Sequence, residues 1–394
     1  MPAKVSTPSC RSASPSTRAA DLGGLESRPM PMPISTRPLL LLLFMGALAG
    51  AYWRAPNTGA TVFLPPAAAM PSTLPALFVN EMLWRDNESA ATPHLTALPD
   101  GRLAAVWLAG PADAMSVRFT IRERAGWRPP VIIASQASTA GGTFAQVGEL
   151  GAPVLHAEGS WLHLWYASRT LGSSINHSVS TDGGKTWTKP TRLQTSPLAN
   201  FGGAVRSGPL PLADGGLGLP IRHDLIGQPG EWLRLSSTGQ IVDKTRLPGR
   251  QQPAIAILDD QQAMAILRDA GSTPDSLRIA RTGDGGQHWQ AGEALTMTHP
   301  SAPIALLRLK SGRLLLAGNP PTGRQAIMLW LSADQGRTWQ EKRTVETAPD
   351  GGADYGNPSL FLGSDGRIHL AYDWRQQGIK HAVFSEAWID GGQP

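Results

Sequence analysis

The sequence predicts an all-β fold, a six-bladed β-propeller with Asp-box turns, preceded by an N-terminal signal or anchor segment. Three observations predict it: a strand–turn–strand unit that recurs six times, an aspartate-centred turn motif in phase with that unit, and a chain of 394 residues with 43 glycines and 34 prolines. Such a supply of turn formers suits many short strands, and six four-stranded units are one of the few single folds that use more than 300 residues.

The recurring unit is an apolar strand, a turn built on Asp-Gly or a substitute, and a second apolar strand. It reads LPDGRLAAVW at 98–107, AEGSWLHLWY at 157–166, LADGGLGLP at 212–220, LDDQQAMAIL at 258–267, LKSGRLLLAG at 309–318 and GSDGRIHLAY at 363–372. The turn markers Gly101, Gly159, Gly215, Asp260, Gly312 and Gly366 are separated by 58, 56, 45, 52 and 54 residues. Repeats of about 50 residues are too long for hexapeptide solenoids and match four-stranded blades.

The second signal follows the second, fourth and fifth hairpins. It reads Ser180-Thr181-Asp182-Gly183-Gly184-Lys185-Thr186-Trp187, Thr282-Gly283-Asp284-Gly285-Gly286-Gln287-His288-Trp289 and Ser332-Ala333-Asp334-Gln335-Gly336-Arg337-Thr338-Trp339. Ser236-Ser237-Thr238-Gly239 is a reduced copy after the third. This is the S-x-D-x-G-x-T-W Asp box. The Asp accepts N–H bonds inside its own turn, a Gly takes the left-handed position and the Trp packs between blades. The motif is structural, and no catalysis is assigned to its aspartates.

Charge excludes several functions. The formal net charge is +5, but Lys4, Arg11, Arg18, Arg28 and Arg37 against Asp21 and Glu26 place +3 of it in residues 1–37. The remaining charge is dispersed, with no basic run to track phosphates, so no nucleic-acid partner is expected. The single cysteine, Cys10, precedes the apolar run, so the body has neither disulfide nor thiolate metal site. No HExxH, P-loop or dinucleotide loop is found, and no cofactor or metal is expected.

Four segments are expected: a basic Pro/Ser-rich stretch at 1–38, an apolar segment at 39–53, a linker at 54–75 and the propeller at 76–390. Residues 39–51, LLLLLFMGALAGA, form an uncharged run closed by Tyr52, Trp53 and Arg54. The run is short beside the roughly 20 residues of a relaxed membrane span. It fits the apolar core of a signal peptide, with Ala47-Leu48-Ala49 as the small-x-small cleavage pattern. Uncleaved, it would be a signal anchor with the Arg-bearing N-terminus inside and the body outside. Either way the body is exported, periplasmic or extracellular, with the membrane as a partner if the segment is kept.

The three boxes, with Asn357-Pro358-Ser359-Leu360, Ser364-Asp365-Gly366-Arg367-Ile368-His369-Leu370-Ala371-Tyr372 and Ile379-Lys380-His381, resemble the sialidase (neuraminidase) superfamily in its BNR-repeat-like branch, over about residues 80–390. The resemblance implies a six-bladed propeller and a retaining glycosidase with a Tyr nucleophile in place of a carboxylate.

Topology sorts the candidates. Hairpin turns and Asp boxes lie on one end of a propeller. Segments before strand one and after strand two lie on the other, where a site is expected. Those segments carry His94, Asp113, Arg169, Arg206, His223, Asp224, Gln252, Arg268, Asp269, His299, Arg324, Tyr355, Asp373 and Arg375. Guanidinium forks suit carboxylates and sulfates. The resemblance implies Tyr355 as nucleophile, Arg268 and Arg324 as two members of a carboxylate-binding triad, and Asp113 as general acid/base. His94, Arg206, His223, Gln252 and Arg375 are expected to line the substrate site.

Two departures stand out. The family's Arg-Ile-Pro before the first strand is Ala91-Thr92-Pro93-His94 here, and the Glu expected at the start of blade four is Gln251-Gln252-Pro253. A neutral amide cannot take a proton from a phenol; Glu231 or Asp269 would have to substitute. Three functions are therefore carried forward: a sialidase-like glycoside hydrolase on an anionic glycan outside the cytoplasm, a non-catalytic glycan-binding propeller of a surface-polysaccharide system, and a polysaccharide lyase on the same scaffold.

Overall fold

The computed structural model describes residues 36–54, 62–170, 172–195, 202–224, 227–269, 276–298, 302–348, 352 and 354–393. The chain divides into two compact units, Met1–Ala55 and Pro56–Pro394. In the first, Thr36–Arg54 is one 19-residue α-helix whose leucines at 39–43 are exposed. Pro38 sits in its first turn, where the missing N–H costs no hydrogen bond. Among the described residues no helix is long and apolar enough to cross a membrane.

The second unit is all-β, and among the described residues its strands form five antiparallel sheets, one of them eight-stranded; with that sheet taken as two, they make sets one to six. Set one is Ser89–Ala97, Leu103–Gly110 and Ser116–Glu123, with Gly126–Trp127 and Val131–Ala134 both on the third strand. Set two runs Glu149–Glu158, Trp161–Arg169, Ser173–Ser180 and Thr191–Arg192. Sets three and four form one continuous sheet, because the strand Ile241–Ile257 is outermost in the third and innermost in the fourth. Set five runs from Ala305–Arg308 to Gln340–Thr347. Set six holds Tyr355–Leu362, Ile368–Trp374 and Gly378–Phe384, and its fourth strand is Phe78–Arg85 from the start of the unit. Phe78 pairs with Phe384 and Arg85 with Gly378.

Apolar residues form six clusters, each between neighbouring sets. One cluster joins the sixth to the first through Ala371, Ile379, Leu95 and Trp107. Another joins the fifth to the sixth through Leu329, Tyr372 and Phe384. Each fully buried large side chain in these seams stabilises by roughly 1.5–3 kcal/mol, so the seams hold the sets together as much as the ladders do.

The innermost strands share a feature that spacing of the hairpins does not reveal. Each is entered through a proline: Pro93, Pro153, Pro209, Pro253, Pro303 and Pro358. In four of them the register shifts beside that proline, between Ala91 and His94, Leu150 and Pro153, Arg250 and Ala254, and Gly356 and Ser359. Proline lacks the N–H that a ladder needs and is tolerated on a sheet edge or at a bulge. The bulges turn the residue before the ladder away from the sheet: Thr92, Gln251 and Asn357 have φ of 59°, 66° and 48°.

The aspartate-centred turns close locally. The Asp182 carboxylate accepts from the Lys185 and Thr186 N–H groups and from the Ser180 and Thr186 hydroxyls at 2.6–3.0 Å. Asp334 does the same with Ser332 and Thr338. Gly184 has φ of 90°, and a side chain there would collide with Phe119.

Composition reads residues 54–75 as linker; from residue 62 the chain instead lies along the hairpin-turn end. The Phe63 N–H donates to the Asp260 carbonyl and the Met70 N–H to that of Lys310, each at 2.8 Å. Phe63 is fully buried, its ring edge-on to Trp232 at 6.0 Å. One large aromatic among prolines and alanines was enough to pin the segment. Leu64, Pro65 and Pro66 reach a central cavity of about 550 Å³ that all six innermost strands line.

Candidate functional site

Four arginines from four separate segments meet at the opposite end. Arg206 follows the short strand Ala204–Val205, Arg222 ends Leu217–Arg222, Arg268 lies near the end of Ala263–Asp269, and Arg324 precedes Ala326–Ser332. Lost hydration, and then the charges of Arg268, Arg222 and Arg324, lower the pKa of Arg206 to about 10. Like charges gather this way only where anionic or strongly polar partners hold them.

Carboxylates and amides hold them here. Arg222 pairs with Asp224 at 2.8 Å. Arg324 pairs through Nε with Asp354, whose other oxygen accepts from the Gln376 amide. The Arg206 Nη1 donates to the Asn357 side-chain Oδ1, and the Asn357 Nδ2 donates to Asp373. The second Asp373 oxygen accepts the Thr92 N–H at 2.7 Å. Asp373 is 2% exposed. Burial raises its pKa to about 7 against the opposing pull of Asn357, Thr92, Arg206 and Arg324. Gln251 Oε1 accepts from Arg222 at 3.0 Å and from Arg268 at 3.3 Å, and Gln252 Oε1 accepts from Arg268 at 3.4 Å. Gly356 leaves room for the Arg324 guanidinium, which a side chain there would displace.

The expected residues separate into three groups. Arg206, Arg268, Arg324 and Gln252 converge. His94 lines the central cavity beneath them with Arg206. Its Nδ1 accepts the Leu155 N–H at 3.3 Å, and burial, with His156 adding, lowers its pKa to about 3, so it is neutral. His223 lies beside Gly202 and Asp224 at the rim.

The remaining residues lie apart from that centre. Arg375, at φ of 54°, stacks over Trp374 at 5.4 Å. Arg169 pairs with Glu149 at 3.0 Å. Asp113 is exposed in the loop after Gly110, where its carbonyl accepts from Gln136 at 2.8 Å. Among the described residues no hydrogen bond or ion pair joins its carboxyl to the arginines. Glu231 is buried within its strand, 3.9 Å from Lys244. The Asp269 side chain and His299 lie outside the described residues.

Tyr355, the expected nucleophile, divides between the mouth and the core. Its backbone is at the mouth, donating to the Arg324 carbonyl at 2.8 Å and accepting from Asn319 at 3.0 Å. Its side chain turns inward. It is 1% exposed, packs in the cluster between the fifth and sixth sets and meets Tyr372 edge-on at 6.4 Å. Two residues later the bulge presents Asn357 instead. Arg222, Asp354, Gln376, Asn357 and Thr92 are not among the residues expected from the sequence. The signal for the last two was the X-Pro step that opens each innermost strand.

A BNR repeat-like domain model matches residues 101–370. No curated protein matches. Among solved structures, the Hadza microbial sialidase Hz136 superposes with a TM-score of 0.62 at 17% identity, over 76% of this chain and 66% of that one. A protein of unknown function from Dyadobacter fermentans gives 0.61 at 16% identity, over 83% of this chain and 100% of that one. The intramolecular trans-sialidase from Ruminococcus gnavus, in complex with oseltamivir carboxylate, gives 0.59 at 13%, over 79% and 98%. At these identities the likeness is one of fold. The family match covers most of the chain, and the chain belongs to the BNR repeat-like domain family.

Proposed function

We propose that this chain is a closed six-bladed propeller, exported from the cytoplasm, that binds an anionic glycan at its arginine mouth. Closure is supported by the pairing of Phe78–Arg85 with Gly378–Phe384 and by the apolar seam between the sixth and first sets. Export is supported by the apolar run ahead of a cysteine-free body. The observation that carries the ligand is the convergence of Arg206, Arg222, Arg268 and Arg324. Planar guanidiniums at one mouth form a bidentate seat for carboxylate or sulfate, and the surrounding amides suit sugar hydroxyls. Sialidase neighbours, one holding a carboxylate-bearing inhibitor, support a carboxylated sugar.

Binding is the primary reading because Tyr355 is buried and amides stand where a general base is expected. A second reading, glycoside hydrolysis, is favoured by Asp373, which at a pKa of about 7 is partly protonated at neutral pH on the floor of the same mouth. Incubation of the protein with acidic oligosaccharides and 4-methylumbelliferyl glycosides separates the two. Binding without product is the expected result. Turnover abolished by Asp373→Asn and spared by Tyr355→Phe would establish the second reading, and absence of both binding and turnover would overturn the proposal.

A further inference from the structure

The amides at the bulges do more than fill space. Gln251 has φ of 66°, a region that costs a non-glycine residue energy and persists where the surroundings enforce it. Its N–H donates to the Gln228 carbonyl at 2.9 Å and its side-chain amide to Gln228 Oε1 at 2.6 Å. Gln228 is itself left-handed, at 44°. The clasp leaves the Gln251 side-chain Oε1 facing Arg222 and Arg268 together. Asn357, left-handed at the equivalent bulge of the sixth set, turns its oxygen to Arg206 in the same way.

An amide oxygen accepts from a guanidinium without cancelling its charge. A carboxylate in the same place would pair with it and leave less field for a ligand. Two carboxylates do pair within the group, Asp224 with Arg222 and Asp354 with Arg324; Gln251 adds an uncharged acceptor that bridges Arg222 to Arg268. Resting on the binding reading above, we propose that Gln251 is a positioning residue that holds Arg222 and Arg268 side by side without placing a negative charge between them, and so sets the preference of the mouth for anionic over neutral sugars.

Two substitutions test it, with glucuronate as the anionic probe, glucose as the neutral one, and calorimetry and thermal melting as readouts. Gln251→Glu places a negative charge between two guanidiniums. It is expected to raise the melting temperature and to weaken glucuronate at least tenfold, with binding of glucose unchanged. Gln251→Met keeps the shape and removes the acceptor. It is expected to weaken glucuronate severalfold, lower the salt dependence of that binding and leave glucose unchanged. A structural role alone would move both sugars together. Full glucuronate affinity in Gln251→Glu, or a melting temperature that does not rise, overturns the assignment. Failure of the unaltered protein to bind glucuronate, sulfate or any acidic oligosaccharide overturns instead the reading on which it rests.

Discussion

The two ends of the β-unit are built from the same strands and use their polar residues in opposite ways. At the hairpin-turn end each aspartate satisfies its own turn: Asp182 and Asp334 bond within four residues of themselves. At the mouth the partners are distant in sequence. Arg206 reaches Asn357 and Thr92 reaches Asp373, across 151 and 281 positions. Among the described residues, most non-glycine residues in the left-handed region lie at or beside the mouth, at Thr92, Gln228, Gln251, Asn357, Arg375 and Gln376; Gln335, in an Asp-box turn, and Phe144 are the others. A closed local turn stabilises and exposes nothing reactive. Charged groups held by long-range contacts on strained backbone are the pattern of a site.

The comparison breaks first at Phe63. If the hairpin-turn end is purely structural, Phe63→Ala should cost about 3–5 kcal/mol and leave affinity for an acidic sugar intact, as read by denaturant unfolding and calorimetry. A loss of affinity in a fully folded variant would show that the ends are coupled.

Acid should sharpen it next. Burial lowers the pKa of His94 to about 3 and those of His156, His177 and His369 to about 4. Each folded value lies below the unfolded value near 6.5, so the unfolded chain binds more protons in between. The contribution of each is full above pH 6.5 and is lost as pH falls from there towards the folded value, at up to about 1.4 kcal/mol per unit and group. Thermal melts from pH 7.5 to 4.5 should therefore fall steeply below 6.5. A flat profile would contradict the burial of these rings.

The smallest effect is expected at Asp334. Asp334→Ala should lower the melting temperature by a few degrees and change no ligand constant, since its bonds stay within one turn. Any change in sugar binding would mean that the turn end reaches the site.

Local and periodic features were legible in the sequence. The six hairpins and three Asp turns depend on residues within a few positions of one another, and they placed Arg206, Arg268 and Arg324 on one end. The direction of a side chain at a bulge is not periodic. Tyr355 sits two residues from Asn357, and one inserted residue in the ladder decides which of them faces the mouth. Asp113 differs again: it lies in the short exposed connection between Leu103–Gly110 and Ser116–Glu123, where no periodic constraint directs a side chain. The burial of Phe63 was hidden by linker-like composition around it.

The central claim is that the mouth selects anions through its arginines. Its most direct test is the titration of the protein and of the Arg268→Ala/Arg324→Ala variant with glucuronate and with glucose, at low and high salt. The account predicts glucuronate binding that weakens with salt and falls at least a hundredfold in the variant, with the melting temperature within a few degrees of the parent. Equal glucuronate affinity in parent and variant, or a variant that no longer folds, would contradict it.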